Sequence, residues 1–415
     1  MLQSTLFGKT LREPPRDDQS TNAQLLQQAG YVDKLMAGVY SYLPLGYRVL
    51  KNIEHIIREE LTEIGGQELL LPALHPKENW MVTGRWDGPD PLYKLEDESG
   101  HAYALGSTHE EIITPLVKRD VHSYRDLPLA LYQFQTKFRA ELRAKSGMLR
   151  GREFIMKDLY SFHRDEADLA RYYDVVKEAY VKIFKRCGIG EETVLTFASG
   201  GSFAKYSHEF QTLTAAGEDT IYLCPTCRIA INDEIIAEQP NCPQCKADRG
   251  KLIEQKAIEV GNIFSLKTKY SAPFGLTFKD ESGTEMPVLM GCYGIGLGRV
   301  MGTVVEVHHD DRGIAWPKAI APYDVHVVRL GDSPSVVAAA DTLYADLRKK
   351  NVSPLYDDRD LSAGIKLKDA DLIGLPLRVV VSEKTMSAGK IEVKRRIEEE
   401  SNLVDGLEAL VAQYL

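Results

Sequence analysis

Gln135–His163, QTKFRAELRAKSGMLRGREFIMKDLYSFH, is the stretch from which the rest of the chain is read. Between Lys137 and Glu153 it holds six basic residues, Lys137, Arg139, Arg143, Lys145, Arg150 and Arg152, against the acidic Glu141 and Glu153. The whole chain carries a formal net charge of -9, so a local excess of cations points to an anionic ligand at this place. Leu129–Gln135 (LALYQFQ) and Glu153–Lys157 (EFIMK) read as strands, with Ser146 and Gly147 in the turn between them. The basic residues are therefore expected on an antiparallel hairpin. Taken alone, such a run is more often a solvated, charged hairpin.

The remaining composition narrows the class. A chain of 415 residues should hold two or three domains. Its 44% hydrophobic and 27% charged residues describe an ordinary globular protein. No apolar run approaches the roughly 20 residues that a membrane helix needs. The opening MLQSTLFGKTLREPPRDDQST has no apolar signal core and carries Asp17 and Asp18, which predicts a cytoplasmic location. The acidic balance excludes a general nucleic-acid binder, so any RNA contact must come from local patches. Four of the six cysteines are clustered, while Cys187 and Cys292 stand alone, a usage that fits a reducing compartment.

Along the chain, Val49, Leu50, Ile53, Ile56, Ile57, Leu61 and Ile64 recur at helical spacing, Gly65-Gly66 supplies a stop, and Glu68–Pro72 (ELLLP) reads as a buried strand. In Tyr103–Glu111, Ser107 with Glu110, or Thr108 with Glu111, has the spacing of a capping box. From Asp165 the pattern Leu169, Tyr172, Tyr173, Val176, Ala179, Tyr180, Ile183, Phe184 is an amphipathic helix closed near Gly188, its aromatic stripe directed to a core. Cys224-Pro-Thr-Cys227 and Cys242-Pro-Gln-Cys245 are two CxxC knuckles at zinc-ribbon spacing, which predicts a closed, structural Zn²⁺ site on four thiolates. Met290–Arg299 (MGCYGIGLGR) does not satisfy GxGxxG; its small residues would let the backbone approach a ligand, with Arg299 opening a helix. His308-His309-Asp310-Asp311 reads as a surface turn. After Ile320–Tyr323 the chain becomes a compact αβ alternation: strands at Val325–Leu330, Leu355–Tyr356 and Leu377–Ser382, and helices at Ser335–Lys350, Ile365–Leu372 and Leu403–Tyr414.

These pieces resemble one family. Phe138-Arg139-Ala140-Glu141, followed by Arg150-Gly151-Arg152-Glu153-Phe154, is similar to motif 2 of the class II aminoacyl-tRNA synthetases, and REFIMKDLYSFH resembles the prolyl enzymes of the bacterial type. The helix ending before Pro72 resembles motif 1, and MGCYGIGLGR resembles motif 3. Gly200-Gly201-Ser202 and Ser207-His208-Glu209-Phe210 are similar to the family's GGS...SHEF strand, with Phe203-Ala204-Lys205-Tyr206 intervening. Asp357-Asp358-Arg359 and Gly364-x-Lys366-x-Lys368 resemble the anticodon-binding domain of the prolyl, threonyl, histidyl and glycyl enzymes. The implied fold class is α/β: an α+β catalytic domain, an antiparallel sheet flanked by helices, over 1–218 and 259–319, with a zinc-ribbon insertion at 219–258 and an α/β anticodon-binding domain at 320–415.

The resemblance also implies roles and partners. Substrates are L-proline, Mg²⁺-bound ATP and tRNA(Pro), and motif 1 implies a homodimer. Arg139 would grip the α-phosphate and the substrate carboxylate, Glu141 would accept from adenine, Arg150 would hold the β- or γ-phosphate, and Phe154 and Arg299 would sandwich adenine. Thr108 and Glu110 would receive the amino group, whose two N–H donors suit a hydroxyl and a carboxylate. Asp158, His163 and Cys292 would line the proline pocket, Cys292 for specificity and not as a nucleophile. Arg143 would touch the tRNA acceptor end, and Asp357, Arg359, Lys366 and Lys368 its anticodon. The interval Asp219–Val260 is too short for both a ribbon and a hydrolytic domain, so mischarged alanyl-tRNA would be left to a separate trans-editing protein. Two other readings are a non-catalytic tRNA-binding relative, which loss of Glu110, Arg139 or Arg299 would signal, and a threonyl enzyme, which would need Cys and His zinc ligands in its active site.

Overall fold

The computed structural model describes residues 1–415 apart from 16–18, 89–90, 143, 145 and 201–204. The chain divides into two compact units, one of 36–39 and 54–303, the other of 1–35, 40–53 and 304–415. Helix α1 (Pro44–Glu63) forms as its spacing predicts: Val49, Leu50, Ile53, Ile56, Ile57 and Leu61 are all buried. Gly65, at φ +80°, turns the chain out of it. The strand expected at Glu68–Pro72 survives only as β1 (Gln67–Glu68). Beyond it the Leu71 amide donates to the side chain of Gln133 instead of a strand partner, and Leu70 is left 73% exposed.

The larger unit is organised by a nine-stranded sheet. After α2 (Glu110–Lys118) come β2 (Leu129–Phe138) and β3 (Glu153–His163), the expected hairpin, longer than its sequence signal and antiparallel from Leu129 opposite Phe162 to Phe138 opposite Glu153. Helix α3 (Glu166–Arg186) is followed by β4 (Thr193–Ser199), β5 (Tyr206–Leu213), β6 (Asp219–Leu223), β7 (Ala230–Asn232), β8 (Ile253–Lys267), β9 (Leu289–Gly296) and α4 (Leu297–Val307). The strand order is β5-β4-β7-β6-β8-β9-β3-β2-β1, with β5 also paired to β8.

Side chains alternate along a strand, so β3 serves two faces. Asp158 and Tyr160 go one way; Lys157, Leu159, Ser161 and His163 go the other. On the second face α3 packs, and its stripe is core as expected: Tyr180 and Phe184 pack at a tilt against Phe210 of β5 with centroids 5.3 and 5.4 Å away. The first face is thereby left for a ligand.

The segment expected as a separate insertion at 219–258 is stitched into this sheet. Asp219–Leu223 pairs with Ile253–Ala257, and β7 runs parallel to β4, so β4, β5, β8, β6 and β7 close a ring around Val194, Ile221, Ala230 and Ala257. The cysteine knuckles, the short helix Asp233–Ile236 and the turn Arg249–Lys251 lie beyond the strand ends.

The second unit carries a five-stranded sheet of order β11-β10-β12-β13-β14, formed by β10 (Val325–Leu330), β11 (Pro354–Asp357), β12 (Leu377–Ser382), β13 (Ile391–Arg395) and β14 (Asn402–Val404). Helices α5 (Pro334–Lys349), α6 (Ala363–Ile373) and α7 (Gly406–Tyr414) complete the αβ alternation; β13 and β14 were not anticipated. The chain's opening residues belong here and not with 54–218, Leu2 bridging to Tyr356. Asp310 is no plain surface turn: both carboxylate oxygens accept from the buried guanidinium of Arg396, at 2.6 and 2.8 Å. Among the described residues no helix is long and apolar enough to cross a membrane.

Candidate active site and cysteine cluster

A cavity of about 240 Å³ opens on the face of β3 that carries Asp158 and Tyr160, and Thr108, Glu110, Arg139 and Cys292 line it with them. The capping box open to Ser107–Glu111 does not form. Helix α2 begins at Glu110 with His109 as its cap residue, and the Thr108 hydroxyl donates to the Glu110 carboxylate instead. Glu110, 1% exposed, also accepts from the Cys292 thiol at 3.3 Å. Burial, then the Glu110 charge, pushes that thiol well above its usual pKa, so Cys292 is a neutral donor and no thiolate nucleophile. Arg85 lies 2.9 Å from Glu111 and 3.8 Å from Glu110. Burial raises the Glu111 carboxyl to about 7, with Arg85 opposing. Arg85, Tyr160, Asn262 and Phe264 also line this cavity, and none was singled out from the sequence because no motif string assigns them a role.

Arg139 and Glu141 are shared with a second cavity of about 250 Å³, where Arg150, Asp219, Glu259 and Arg299 join them. Arg299, the first basic residue of α4, donates to the carbonyls of Leu149 and Glu259 at 2.9 Å and to the Glu259 carboxylate at 3.0 Å. Arg139 sits with its guanidinium carbon 5.2 Å from the Phe154 ring centroid, and Phe154 and Arg299 line one narrow slot. Burial, then the charge of Arg299, lowers the pKa of Arg139, although a guanidinium remains a cation. Arg150 is held 3.0 Å from Glu141. Deeper in the strand ring, Glu209 of β5 is raised to about 8 by burial and by Glu259. The two cavities thus meet at Arg139, one ending in carboxylates and a hydroxyl, the other rimmed by three arginines.

The four clustered cysteines come together as their spacing predicts. Cys224 Sγ lies 3.5 Å from Cys245 Sγ and Cys227 Sγ 3.6 Å from Cys242 Sγ, with all four sulfurs within 4.8 Å of one another. A tetrahedron with Zn–S bonds of about 2.3 Å has edges of roughly 3.8 Å, so the donor set fits zinc. Each knuckle ends on a residue with left-handed backbone, Arg228 at φ 59° and Lys246 at φ 63°, whose N–H returns to the first cysteine's carbonyl.

Other expected site residues lie elsewhere. His163 does not face the amino-acid cavity: strand parity puts it on the opposite side from Asp158, buried, with Nδ1 2.7 Å from Asp168. Asp357 and Lys366 are turned inward, 0% and 2% exposed. Asp357 accepts from Arg359 at 2.7 and 2.8 Å, while Lys366 donates to the carbonyls of Arg329 and Asp357 at 2.8 and 3.2 Å. Burial alone would raise the Asp357 carboxyl, but Arg359 and Lys366 hold it below its usual value. Lys368 is exposed and Arg359 partly so. Arg143, and Gly201–Ala204 of the GGS string, lie outside the described residues.

Comparison with known proteins agrees with this arrangement. The family described as tRNA synthetase class II core domain (G, H, P, S and T) matches residues 93–308, and the anticodon binding domain family matches 324–411. The proline–tRNA ligase of Halothermothrix orenii is 34% identical over 547 aligned positions, covering 95% of this chain and 96% of the relative. That of Bacillus subtilis is 34% identical over 566 positions and covers both chains completely. These alignments are longer than the 415 residues present here, so the relatives carry residues without counterpart in this chain. The Giardia lamblia prolyl-tRNA synthetase solved in complex with prolyl-adenylate shares the fold, with a TM-score of 0.76 at 20% identity over 92% of this chain and 73% of that one. With a class II core over half its length and end-to-end relatives above 30% identity, the chain belongs to the proline–tRNA ligases of the class II aminoacyl-tRNA synthetases.

Proposed function

We propose that the protein activates L-proline with ATP and transfers the prolyl group to tRNA(Pro). The observation that carries this reading is the pair of cavities joined at Arg139. Proline's ammonium is received by Glu110 and Thr108, and its carboxylate by Arg139. That carboxylate attacks the α-phosphorus of ATP, pyrophosphate leaves, and Arg139 stabilises the charge that builds on the phosphorus oxygens. Arg150 holds the outer phosphates, Glu141 the adenine amino group, and Phe154 and Arg299 the two adenine faces. Glu218, Asp219 and Glu259, which line the same cavity, are carboxylates that could hold Mg²⁺. The terminal adenosine hydroxyl of the tRNA then takes the prolyl group and AMP departs. No side chain acts as nucleophile; the site works by positioning and charge. Proline-dependent ATP–pyrophosphate exchange, run against the other amino acids, tests the reading: a preference for another amino acid overturns it.

The finer parts of the proposal have their own support. Residues 54–303 supply activation, and 320–415 meet the anticodon through Arg359 and Lys368, since Asp357 and Lys366 have internal partners. Arg143 is assigned to the acceptor end by its place in motif 2 alone. Zn²⁺ bound by Cys224, Cys227, Cys242 and Cys245 supplies a closed structural cross-link, and cysteines free of disulfides suit the cytoplasm. A homodimer through the motif 1 region is supported by the 73% and 50% exposure of Leu70 and Leu74. Editing is left to a separate protein, since the interval 219–258 is filled by sheet and knuckles. Preformed alanyl-tRNA(Pro) should persist when incubated with the enzyme alone; rapid deacylation would sink that part.

A further inference from the structure

One fully buried cation beneath the amino-acid cavity has no part in the motifs. Lys137 of β2 is 0% exposed. Its Nζ lies 2.8 and 2.9 Å from the two Asp158 oxygens and 2.5 Å from His109 Nδ1. An ammonium only donates, so His109 Nδ1 must accept; Nε2, 3.0 Å from the Pro72 carbonyl, must carry the proton. These two contacts fix the neutral Nε2–H tautomer by elimination. The backbone N–H of His109 donates to the Tyr160 hydroxyl at 3.1 Å, which in turn donates to Asp158 at 2.8 Å. Gln133 donates to the same carboxylate oxygen at 3.0 Å.

His109 stands between Thr108 and Glu110, so this network ties the turn that carries both, through the ring on one side and the amide on the other. We propose that Lys137 is a positioning residue for proline, holding Asp158, Tyr160 and His109 so that Thr108 and Glu110 face the substrate's secondary ammonium. The inference rests on the reading of this cavity as the proline site. A buried ion pair is seldom a gain in stability over well-packed apolar residues, which leaves positioning as the use for this one. Burial would raise the Asp158 carboxyl, but Lys137, then His109 and Gln133, keep it below its usual value, and burial followed by Lys137 lowers His109 to about 2. Burial lowers the Lys137 pKa and the Asp158 charge opposes it; with both carboxylate oxygens within 2.9 Å of its Nζ, the ion pair and a neutral ring are in place before any substrate arrives.

The test separates the two substrates in the pyrophosphate-exchange assay. Lys137→Met should raise the KM for proline about tenfold or more, with kcat and the KM for ATP within about twofold of the parent. His109→Leu should do the same, and His109→Asn, whose Oδ1 can replace Nδ1 as the acceptor from Lys137, should recover much of the loss. An unchanged proline KM in Lys137→Met, or equal rises in both KM values, overturns the inference. Should Lys137→Met fail to fold, equal proline KM values for the Asn and Leu variants overturn it. Nitrogen-15 NMR of histidine reads the same point without turnover: His109 near neutral pH should be the Nε2–H tautomer, and an imidazolium or Nδ1–H form overturns it. If instead the parent protein fails to exchange pyrophosphate with proline, the functional reading falls and the tautomer result stands apart.

Discussion

The active face of the catalytic unit and the Asp357–Arg359–Lys366 cluster of the C-terminal unit are written in the same residue types, and the structure uses them in opposite senses. Arg139, Arg150 and Arg299 line an open cavity, Arg150 paired with Glu141 and Arg299 with Glu259 at 3.0 Å each, so an incoming ligand can reach these charges and exchange partners with them. Asp357 is sealed, with Arg359 at 2.7 Å and Lys366 at 3.9 Å, and Arg359 reaches on to Asp369 at 2.9 Å. Those charges complete one another. The lesson is that a charged string marks a ligand site where its ion pairs open onto a cavity, and a structural lock where they are sealed against one another. A third arrangement stands between them: Lys157, buried, bonded to the Tyr180 hydroxyl at 2.6 Å and the Tyr293 carbonyl at 3.0 Å.

Four substitutions would break or sharpen this contrast. Arg139→Ala should lower proline-dependent pyrophosphate exchange by about 10²-fold or more, roughly 3 kcal/mol of transition-state stabilisation, and leave the unfolding midpoint near the parent's. Near-normal exchange by a folded variant would remove Arg139 from the site. Asp357→Ala should behave in the reverse way, with exchange in the absence of tRNA retained and about 2–3 kcal/mol of stability lost. That figure sits below the range for a fully buried pair because the Arg359 side chain is 20% exposed. If urea unfolding shows no destabilisation, the cluster is not the internal lock described here.

Lys157 gives a pH signature. Burial lowers its ammonium to about 7, so between about pH 7 and 10 the unfolded chain holds a proton that the folded chain lacks. Stability from this group therefore rises with pH across that window, and below about pH 7 the full penalty applies. The stability of the parent minus that of Lys157→Met should climb from pH 7 to pH 10; a flat difference would show that the lysine keeps its proton. The smallest effect is expected for Lys368→Ala, a few-fold loss in aminoacylation with a shallower salt dependence and unchanged pyrophosphate exchange, as for one phosphate contact. A loss of exchange there would mean that the outer surface of the C-terminal unit matters to activation.

What was legible in the sequence follows from where its information is local. The hairpin of β2 and β3, the helix α3, the Val325–Leu330 and Leu377–Ser382 strands and the cysteine knuckles are specified by neighbouring residues, and each is found where the pattern put it. Thr108, Glu110, Arg139 and Cys292 were found through motif strings and do gather in one cavity. His163 was misplaced because a string does not state strand parity, and five residues of alternation separate it from Asp158 onto the other face. Asp357 and Lys366 were misjudged because their partners, Arg359 across a turn and the Arg329 carbonyl on another strand, are visible only after folding. Arg85 escaped notice, and Lys137 was counted only as part of the basic run, for the same reason: each gains its meaning from groups far away in sequence.

The two faces of β3 also bear on which genetic lesions this enzyme can survive. Exchange of one side chain on the strand disturbs one face and leaves the other in register. Gain or loss of a single codon between Phe154 and Asp158 would instead turn Asp158 and Tyr160 into the packing under α3 and lift Lys157 and Leu159 into the cavity, because side-chain direction repeats every second residue. Reading-frame-preserving insertions and deletions should therefore be absent from functional variants across this strand even where individual substitutions are accepted, and a library scored for growth would display the active site as a gap in indel tolerance far sharper than its gap in amino-acid tolerance.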